Sequence, residues 1–425
     1  MQFFFAIYDI LFLIGFFIYL PIYILKKKIN LAALKEKFGF LKVKKQNYIW
    51  IHAVSVGEVI LIQPILNRLY ETFNYPLLVT TTTLAGNKLA KQKFKAFTEV
   101  VFFPYDITFV ILKILKIIKP KIFIAVETEL WPNLFYNLKR KKIPILIINA
   151  RVSKKAFSRY RLFKPLIAKT LKRCDFIGVQ NESYKEKFID LGYFKEKLLI
   201  TGNLKFESIV INKEKLTKFK QLYLPLIKAD KNKSLIIAAS THYPEEEIIL
   251  DIYGNILKEF KNINLMIAPR HIERVPSVEK LIFSKKFYPL RISKIKDFNY
   301  LEQKNIIYVL DVIGELIYFY SIADICFIGG SLIKFGGHNI LEPIYFEKPT
   351  IFGPFMDNFK DIVDIVLEKK AGIMVKNSFE LKKVILKLLL DDGLRLDFQN
   401  RCFEVFKDQR GALEKNLKII STYLK

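Results

Sequence analysis

The chain has 425 residues, 52% hydrophobic and 26% charged, which excludes disorder and allows two or three domains with cores of their own. Its 69 Lys and Arg against 41 Asp and Glu leave a net charge of +28; a Lys-rich composition explains such an excess, and so does attraction to a polyanion, either nucleic acid or an anionic membrane surface. Cys174, Cys326 and Cys402 form no CxxC pair, which excludes a disulfide framework or a zinc ribbon and fits a reducing compartment.

The first element is an apolar run from Phe3 to Leu25, interrupted by Asp9 and Pro21 and followed at once by Lys26, Lys27 and Lys28. About 20 apolar residues cross a bilayer core, and flanking lysines hold that end on the cytoplasmic side. The positive charges follow the apolar run instead of preceding it, so a cleaved signal peptide is not expected. The reading is a membrane-anchoring helix, spanning or interfacial; the alternative is an amphipathic helix buried on the core.

Strands and helices then alternate. Tyr48–Val54, Leu77–Thr82, Val100–Pro104, Ile122–Val126 and Pro144–Ile148 read as buried strands, with helices over Val59–Phe73, Leu84–Phe97 and Thr108–Lys119. A second series follows at Leu235–Ala239, Asn264–Ile267, Ile306–Leu310, Ile325–Ile328 and Thr350–Phe352. The alternation predicts an α/β protein of two doubly wound, Rossmann-like domains with parallel sheets, facing a cleft. The expected divisions are an anchor over residues 1–28, domains over 29–211 and 212–400, and a helix over 401–425 packing back on the first domain.

In such sheets ligands sit beyond the carboxyl ends of the strands. Ser55-Val56-Gly57-Glu58 follows the first strand and opens a helix, where Glu58 is either a carboxylate favoured by the helix dipole or a general base beside a glycine that admits substrate. Glu127-Thr128-Glu129-Leu130-Trp131-Pro132-Asn133 follows the fourth; two carboxylates at i, i+2 of an extended segment point the same way and raise one another's pKa. In the second half, Gly329-Gly330-Ser331 and Gly336-Gly337 make a loop whose N–H groups suit a phosphate, Arg270 can pair with that phosphate, and Glu315 and Glu342 can accept ribose hydroxyls. His52, His242, His271 and His338 lack ligand spacing, so no metal site is expected, and no GxGxxG or P-loop is present. From Arg151 to Cys174, basic residues interleave with Phe157, Tyr160, Leu162 and Phe163, as suits either an anionic lipid surface or a solvated helix face.

Together with Asn149-Ala150-Arg151-Val152-Ser153, Gly202-Asn203-Leu204-Lys205-Phe206, Pro269-Arg270-His271 and Gly336-Gly337-His338-Asn339-Ile340-Leu341-Glu342, these motifs in this order resemble those of the 3-deoxy-D-manno-octulosonic acid (Kdo) transferases of lipopolysaccharide core synthesis. The resemblance implies a GT-B fold and inverting, metal-independent transfer of Kdo from CMP-Kdo to a hydroxyl of a lipid A precursor, without a cofactor. It implies Glu58 as the base and Glu127 and Lys205 as transition-state groups. It implies a CMP pocket of Pro269, Arg270, Ile313, Gly314, Glu315, Asn339, Ile340, Leu341 and Glu342, with Ile313 standing where Met is usual. The expected setting is the cytoplasmic side of the inner membrane, with an anionic lipid surface and no nucleic acid as partner. The competing readings are a GT-B transferase using a UDP-sugar and a non-enzymatic membrane or nucleic-acid binder; no helix-turn-helix or RNA-type aromatic motif supports the last.

Overall fold

Apolar runs bounded by polar turns form the strands of two parallel sheets. The computed structural model describes residues 2–25, 31–228, 233–297 and 305–424. In chain order the first sheet contains β1 (Ile49–His52), β2 (Leu77–Thr81), β3 (Thr98–Phe102), β4 (Ile122–Val126), β5 (Ile145–Ala150), β6 (Phe176–Val179) and β7 (Leu198–Ile200). The second contains β8 (Ser234–Thr241), β9 (Ile263–Pro269), β10 (Tyr288–Arg291), β11 (Ile306–Val309), β12 (Ile325–Ile328), β13 (Thr350–Phe352) and β14 (Ile373–Met374). The chain divides into two compact units, Met1–Val210 with Gln409–Lys425, and Ile211–Asp408.

Strand order is β3-β2-β1-β4-β5-β6-β7 in the first unit and β10-β11-β9-β8-β12-β13-β14 in the second. Order therefore reverses between β1 and β4, and between β8 and β12, which opens the loops at those carboxyl ends to a ligand. Both faces of the first sheet are covered, so its strands are apolar on both sides rather than alternating, with His52, Thr80, Thr81, Thr98 and Asn149 confined to strand ends. The pleat sends Trp50, Leu78 and Phe123 into one core, and Ile49, Ile51, Val79 and Ile124 into the other.

Four strands lie outside the runs that the pattern singled out: β6, β7, β10 and β14 are short, and Gly178, Pro289 and Arg291 dilute their apolar signal. The expected helix Val59–Phe73 is two helices, Val56–Leu61 and Gln63–Thr72. Pro64 sits in the first turn of the second helix and has no N–H to continue the ladder of the first. Pro165 starts a new helix in the same way, so the basic segment forms helices Lys154–Leu162 and Lys164–Leu171. Its Phe157, Tyr160 and Ile167 pack on the core, while Leu162 and Phe163 are exposed.

The apolar run at the start forms helix Gln2–Leu25, and the Lys26–Lys28 cluster lies outside the described residues. Among the described residues no helix is long and apolar enough to cross a membrane. One side of this helix is docked on the first unit. Phe12 and Leu13 join its core, and Phe16 meets Phe38 and Tyr105 edge-on at 5.6 and 5.4 Å. Asp9 accepts the Thr108 N–H at 3.2 Å and an Asn133 side-chain N–H at 2.8 Å. The Tyr8 hydroxyl donates to Asp106, whose carboxylate also accepts the Asn133 and Leu134 N–H groups at the start of helix Pro132–Arg140. Burial pushes the Asp106 carboxyl up to about 6, against the pull of those three donors. The opposite side, with Ile7, Ile10, Leu11, Ile14, Phe17 and Ile18, is exposed and apolar.

Asp9 is thus a staple between this helix and the segment that follows β4. Asp9→Ala leaves two donors without their acceptor and is expected to cost about 1–3 kcal/mol. Thermal unfolding should show a fall of roughly 2–4 °C per kcal/mol, and an unchanged midpoint would mean that the helix contributes nothing to the unit.

Candidate active site

In the first unit the loops after β1, β4 and β5 converge. Ser55 precedes helix Val56–Leu61, and Glu58 in its first turn folds back to accept the Val54 N–H at 2.7 Å and the Ser55 hydroxyl at 3.1 Å. These contacts hold the carboxyl at the helix N-terminus. A Cβ on Gly57 would meet nothing closer than Ser55 Oγ at 3.9 Å, so the space over Gly57 is open.

Glu127 does not continue β4 as an extended residue. Its φ is 59°, in the left-handed region that non-glycine residues seldom occupy, so the i, i+2 geometry expected of Glu127 and Glu129 does not hold. The turn is tied down from β5: Thr128 Oγ1 donates to the Arg151 carbonyl at 2.5 Å and accepts the Arg151 N–H at 3.1 Å. Arg151 Nε in turn donates to Glu127 at 2.9 Å. Arg151 stands in one of the quoted motifs, yet nothing in the spacing showed that it would hold Glu127.

The electrostatic consequence is shared among three carboxylates. Burial, then Glu127, then Glu129 push the Glu58 carboxyl up to about 8. Glu129 is pushed up to about 7, by burial first and then by Glu127. A carboxyl with a pKa near neutrality is a stronger proton acceptor than an exposed one, provided that it is ionised when substrate arrives.

Lys205 lies in the turn Leu204–Glu207, which packs on helix Val56–Leu61. Asn149, at a φ of 54° near the end of β5, accepts the Leu204 N–H at 3.0 Å, and Asn203 accepts the Lys205 N–H at 3.0 Å. Glu207 accepts the N–H groups of Gly411 (2.6 Å) and Leu413 and so ties this turn to the start of helix Ala412–Leu424.

In the second unit Arg270 follows β9, and its N–H reaches the Thr241 carbonyl at the end of β8 at 3.0 Å. Its side chain is exposed, and among the described residues no carboxylate pairs with it. Pro269 ends β9. Asn339 donates to Glu342 at 3.0 Å and accepts the Leu341 N–H at 3.0 Å; Ile340 and Leu341 are buried. Burial raises the Glu342 carboxyl. Ile313 and Gly314 are exposed, and Glu315 keeps its Oε2 buried without a hydrogen-bond partner among the described residues. The Tyr223 hydroxyl interacts with this carboxylate, and the unpartnered oxygen can accept a further hydroxyl.

The glycine loop differs from its expected use. The N–H groups of Gly330, Ser331 and Leu332 all donate to Glu245, at 2.6, 3.0 and 3.0 Å, as does that of His242 at 3.1 Å. The donors that suit a phosphate are consumed by a buried side chain. Gly336 and Gly337 serve packing: both have positive φ, and a Cβ on Gly337 would lie 2.2 Å from Met356 Sδ.

The family model of 3-Deoxy-D-manno-octulosonic-acid transferase (kdotransferase) matches residues 32–208. A 3-deoxy-D-manno-octulosonic acid transferase from Haemophilus influenzae is 36% identical over 92% of this chain and 91% of its own length. The chain belongs to the Kdo transferase family. A bifunctional glycosyltransferase/methyltransferase from Fusobacterium nucleatum is 38% identical over 81% of this chain, which spans only 53% of that relative's length. Among solved structures, a UDP-GlcNAc 2-epimerase from Neisseria meningitidis aligns over 89% of this chain and 99% of its own, with a TM-score of 0.59 at 15% identity. That likeness speaks for the two-sheet fold of the Kdo transferase chain alone.

The carboxylate cluster makes a pH test. A base role for Glu58 requires its ionised form, and under that role kcat/KM for the acceptor should rise with pH until about 8 and then level off. Glu129→Gln removes one neighbouring negative charge, lowers the Glu58 pKa and moves that rise toward acid. Glu58→Gln should lower turnover by about 10²-fold or more at every pH without changing the thermal midpoint. A rise that Glu129→Gln leaves in place would separate these groups.

Proposed function

We propose that this Kdo transferase moves Kdo from CMP-Kdo to a hydroxyl of a lipid A precursor, with inversion and without a metal, in lipopolysaccharide core synthesis. The observation that carries this reading is the cluster of Glu58, Glu127 and Glu129 at the carboxyl ends of β1 and β4, with Glu58 pushed up to about 8. A sugar hydroxyl is a weak nucleophile, and a positioned base contributes about 10²–10⁴-fold. Glu58 takes that proton. Glu127, held by Arg151, and Lys205, held by its turn, supply fixed charge of both signs for the transition state.

The second unit takes the donor. Arg270 pairs with the phosphate, and Glu315 and Glu342 accept the ribose hydroxyls. Pro269, Ile313, Gly314, Asn339, Ile340 and Leu341 shape the walls of the pocket. What supports this assignment is the Arg270 guanidinium, which forms no ion pair among the described residues, and the Glu315 Oε2, buried there without a hydrogen-bond partner; CMP offers a partner to each.

The acceptor is a phosphorylated lipid, which gives the exposed face of helix Gln2–Leu25 a purpose. With Ile7, Leu11, Ile14 and Ile18 in one stripe and a net charge of +28, the first unit rests on the anionic cytoplasmic face of the inner membrane by that helix lying in the interface.

Incubation with CMP-Kdo and a lipid A precursor, with products resolved by mass, tests the reaction; a product with UDP-sugars and none with CMP-Kdo would overturn it. Arg270→Ala and Glu342→Ala should each weaken CMP binding about tenfold or more, a charged hydrogen bond being worth roughly 1.5–3 kcal/mol. Calorimetry reads this directly, and unchanged affinity in both moves the nucleotide elsewhere. Leu11→Glu with Phe17→Glu, both 63% exposed in the wild type, should reduce flotation with anionic vesicles and leave the thermal midpoint unchanged. Full flotation of that variant would remove the helix from the membrane contact.

A further inference from the structure

Two histidines that the reaction above does not use meet at the switch point of the second sheet. His242 follows β8 and His338 lies in the loop that follows β12, and these strands are neighbours. Their Nε2 atoms are 2.8 Å apart and their rings are within 10° of coplanar. At that distance one Nε2 carries a proton and donates it to the lone pair of the other, whose own proton then sits on Nδ1. Phe335 stacks on His242 at 4.3 Å and shields the pair from one side.

The charges around the pair are lopsided. Arg270 and His271 face it with no carboxylate hydrogen-bonded to either among the described residues. Arg274 also acts on it, but its guanidinium is taken by the buried Glu246 at 2.6 Å. Glu245 is spent on the N–H groups of the glycine loop, and Glu342 on Asn339. Burial first, then Arg270, His242 and His271, push His338 down to about 4; burial and then His271 lower His242. The pair is therefore neutral near pH 7, with Arg270 facing it and Glu246 and Glu342 as the nearby carboxylates. An anion bound there reverses the balance and draws in a proton.

We propose that the His242–His338 pair takes up one proton when the anionic nucleotide-sugar binds, and delivers it to the leaving phosphate. This rests on the CMP-donor reading. With the glycine-loop N–H groups consumed by Glu245, Arg270 is the cation that meets the phosphate, and the neutral pair faces it. In the step itself the acceptor oxygen bonds to the anomeric carbon and its proton passes to Glu58. The bond from that carbon to the phosphate oxygen breaks, its electron pair stays on the oxygen, and the imidazolium proton follows. Glu58 returns its proton to solvent, so the proton drawn in with the donor is balanced by the one released.

The experiment is CMP titration calorimetry in two buffers of different ionisation enthalpy near neutral pH, with kcat and donor KM for the wild type, His242→Asn, His338→Gln and the double variant. The expected result is uptake approaching one proton per CMP in the wild type and close to none in each variant. kcat should fall about 10²-fold with donor KM within about threefold, and the double variant should be no worse than either single one, because the two rings act as a unit. Retained CMP binding in the variants certifies their fold. Wild-type binding without proton uptake, variants with full turnover, or loss of CMP affinity at an unchanged thermal midpoint would each overturn the proposal while leaving the donor reading intact. A wild type that binds no CMP overturns the donor reading, and this proposal with it.

Discussion

Parallel pairing constrains everything else in this chain. Strands that all run one way require a crossover between each pair, and the covering helices bury the strands on both faces. Polar side chains are thereby expelled from the strands to their ends. Where strand order reverses, beside β1 and again beside β8, the loops at the carboxyl ends part instead of covering one another. Glu58, Glu127, Arg151 and Lys205 stand at the first reversal, and Arg270, His242 and His338 at the second.

Carboxylates at these ends are used in two ways, separated by how many donors each one meets. Glu245 takes four backbone N–H groups and locks a loop. Asp106 takes two at a helix start and a tyrosine hydroxyl, and secures the first helix. Glu58 takes one N–H and one hydroxyl, and it feels two further carboxylates. The well-supplied groups lock loops and helix starts, their several donors offsetting part of the rise that burial imposes. Glu58 meets fewer donors, is partly desolvated and feels two further carboxylates, so its proton affinity is raised, and the proposed base role rests on that.

The first helix illustrates a conflict between two scales of reading. Along the sequence it is an unbroken apolar stretch with one charge, which argues for a bilayer. In the folded unit that charge, Asp9, is a hydrogen-bond acceptor for Thr108 and Asn133, and only one side of the helix is left to solvent. A charge that looks like a defect in a membrane segment is the residue that fixes the helix to the protein.

Periodicity and β-branched runs were enough to place the long strands and the alternation with helices, because double burial leaves a continuous apolar signature. Motif order was enough to name the family; Glu58, Glu127 and Arg270 stood out as polar residues just past strands, while Lys205 came only with the resemblance. Short strands such as β7 and β14 were not legible: three or two residues carry too little pattern, and they exist because a neighbouring strand offers its free edge. Nor were the partnerships legible. Arg151 and Glu127, His242 and His338, and Glu245 and the glycine loop are 24, 96 and about 85 residues apart, and only the closing of each sheet decides which loops become neighbours. The residue types at the two sites were set by the linear sequence; the left-handed turn at Glu127, the hydrogen bond between two imidazoles and the consumed phosphate donors were set by distance in three dimensions, because hydrogen bonds and charge coupling depend on separation in space and not along the chain.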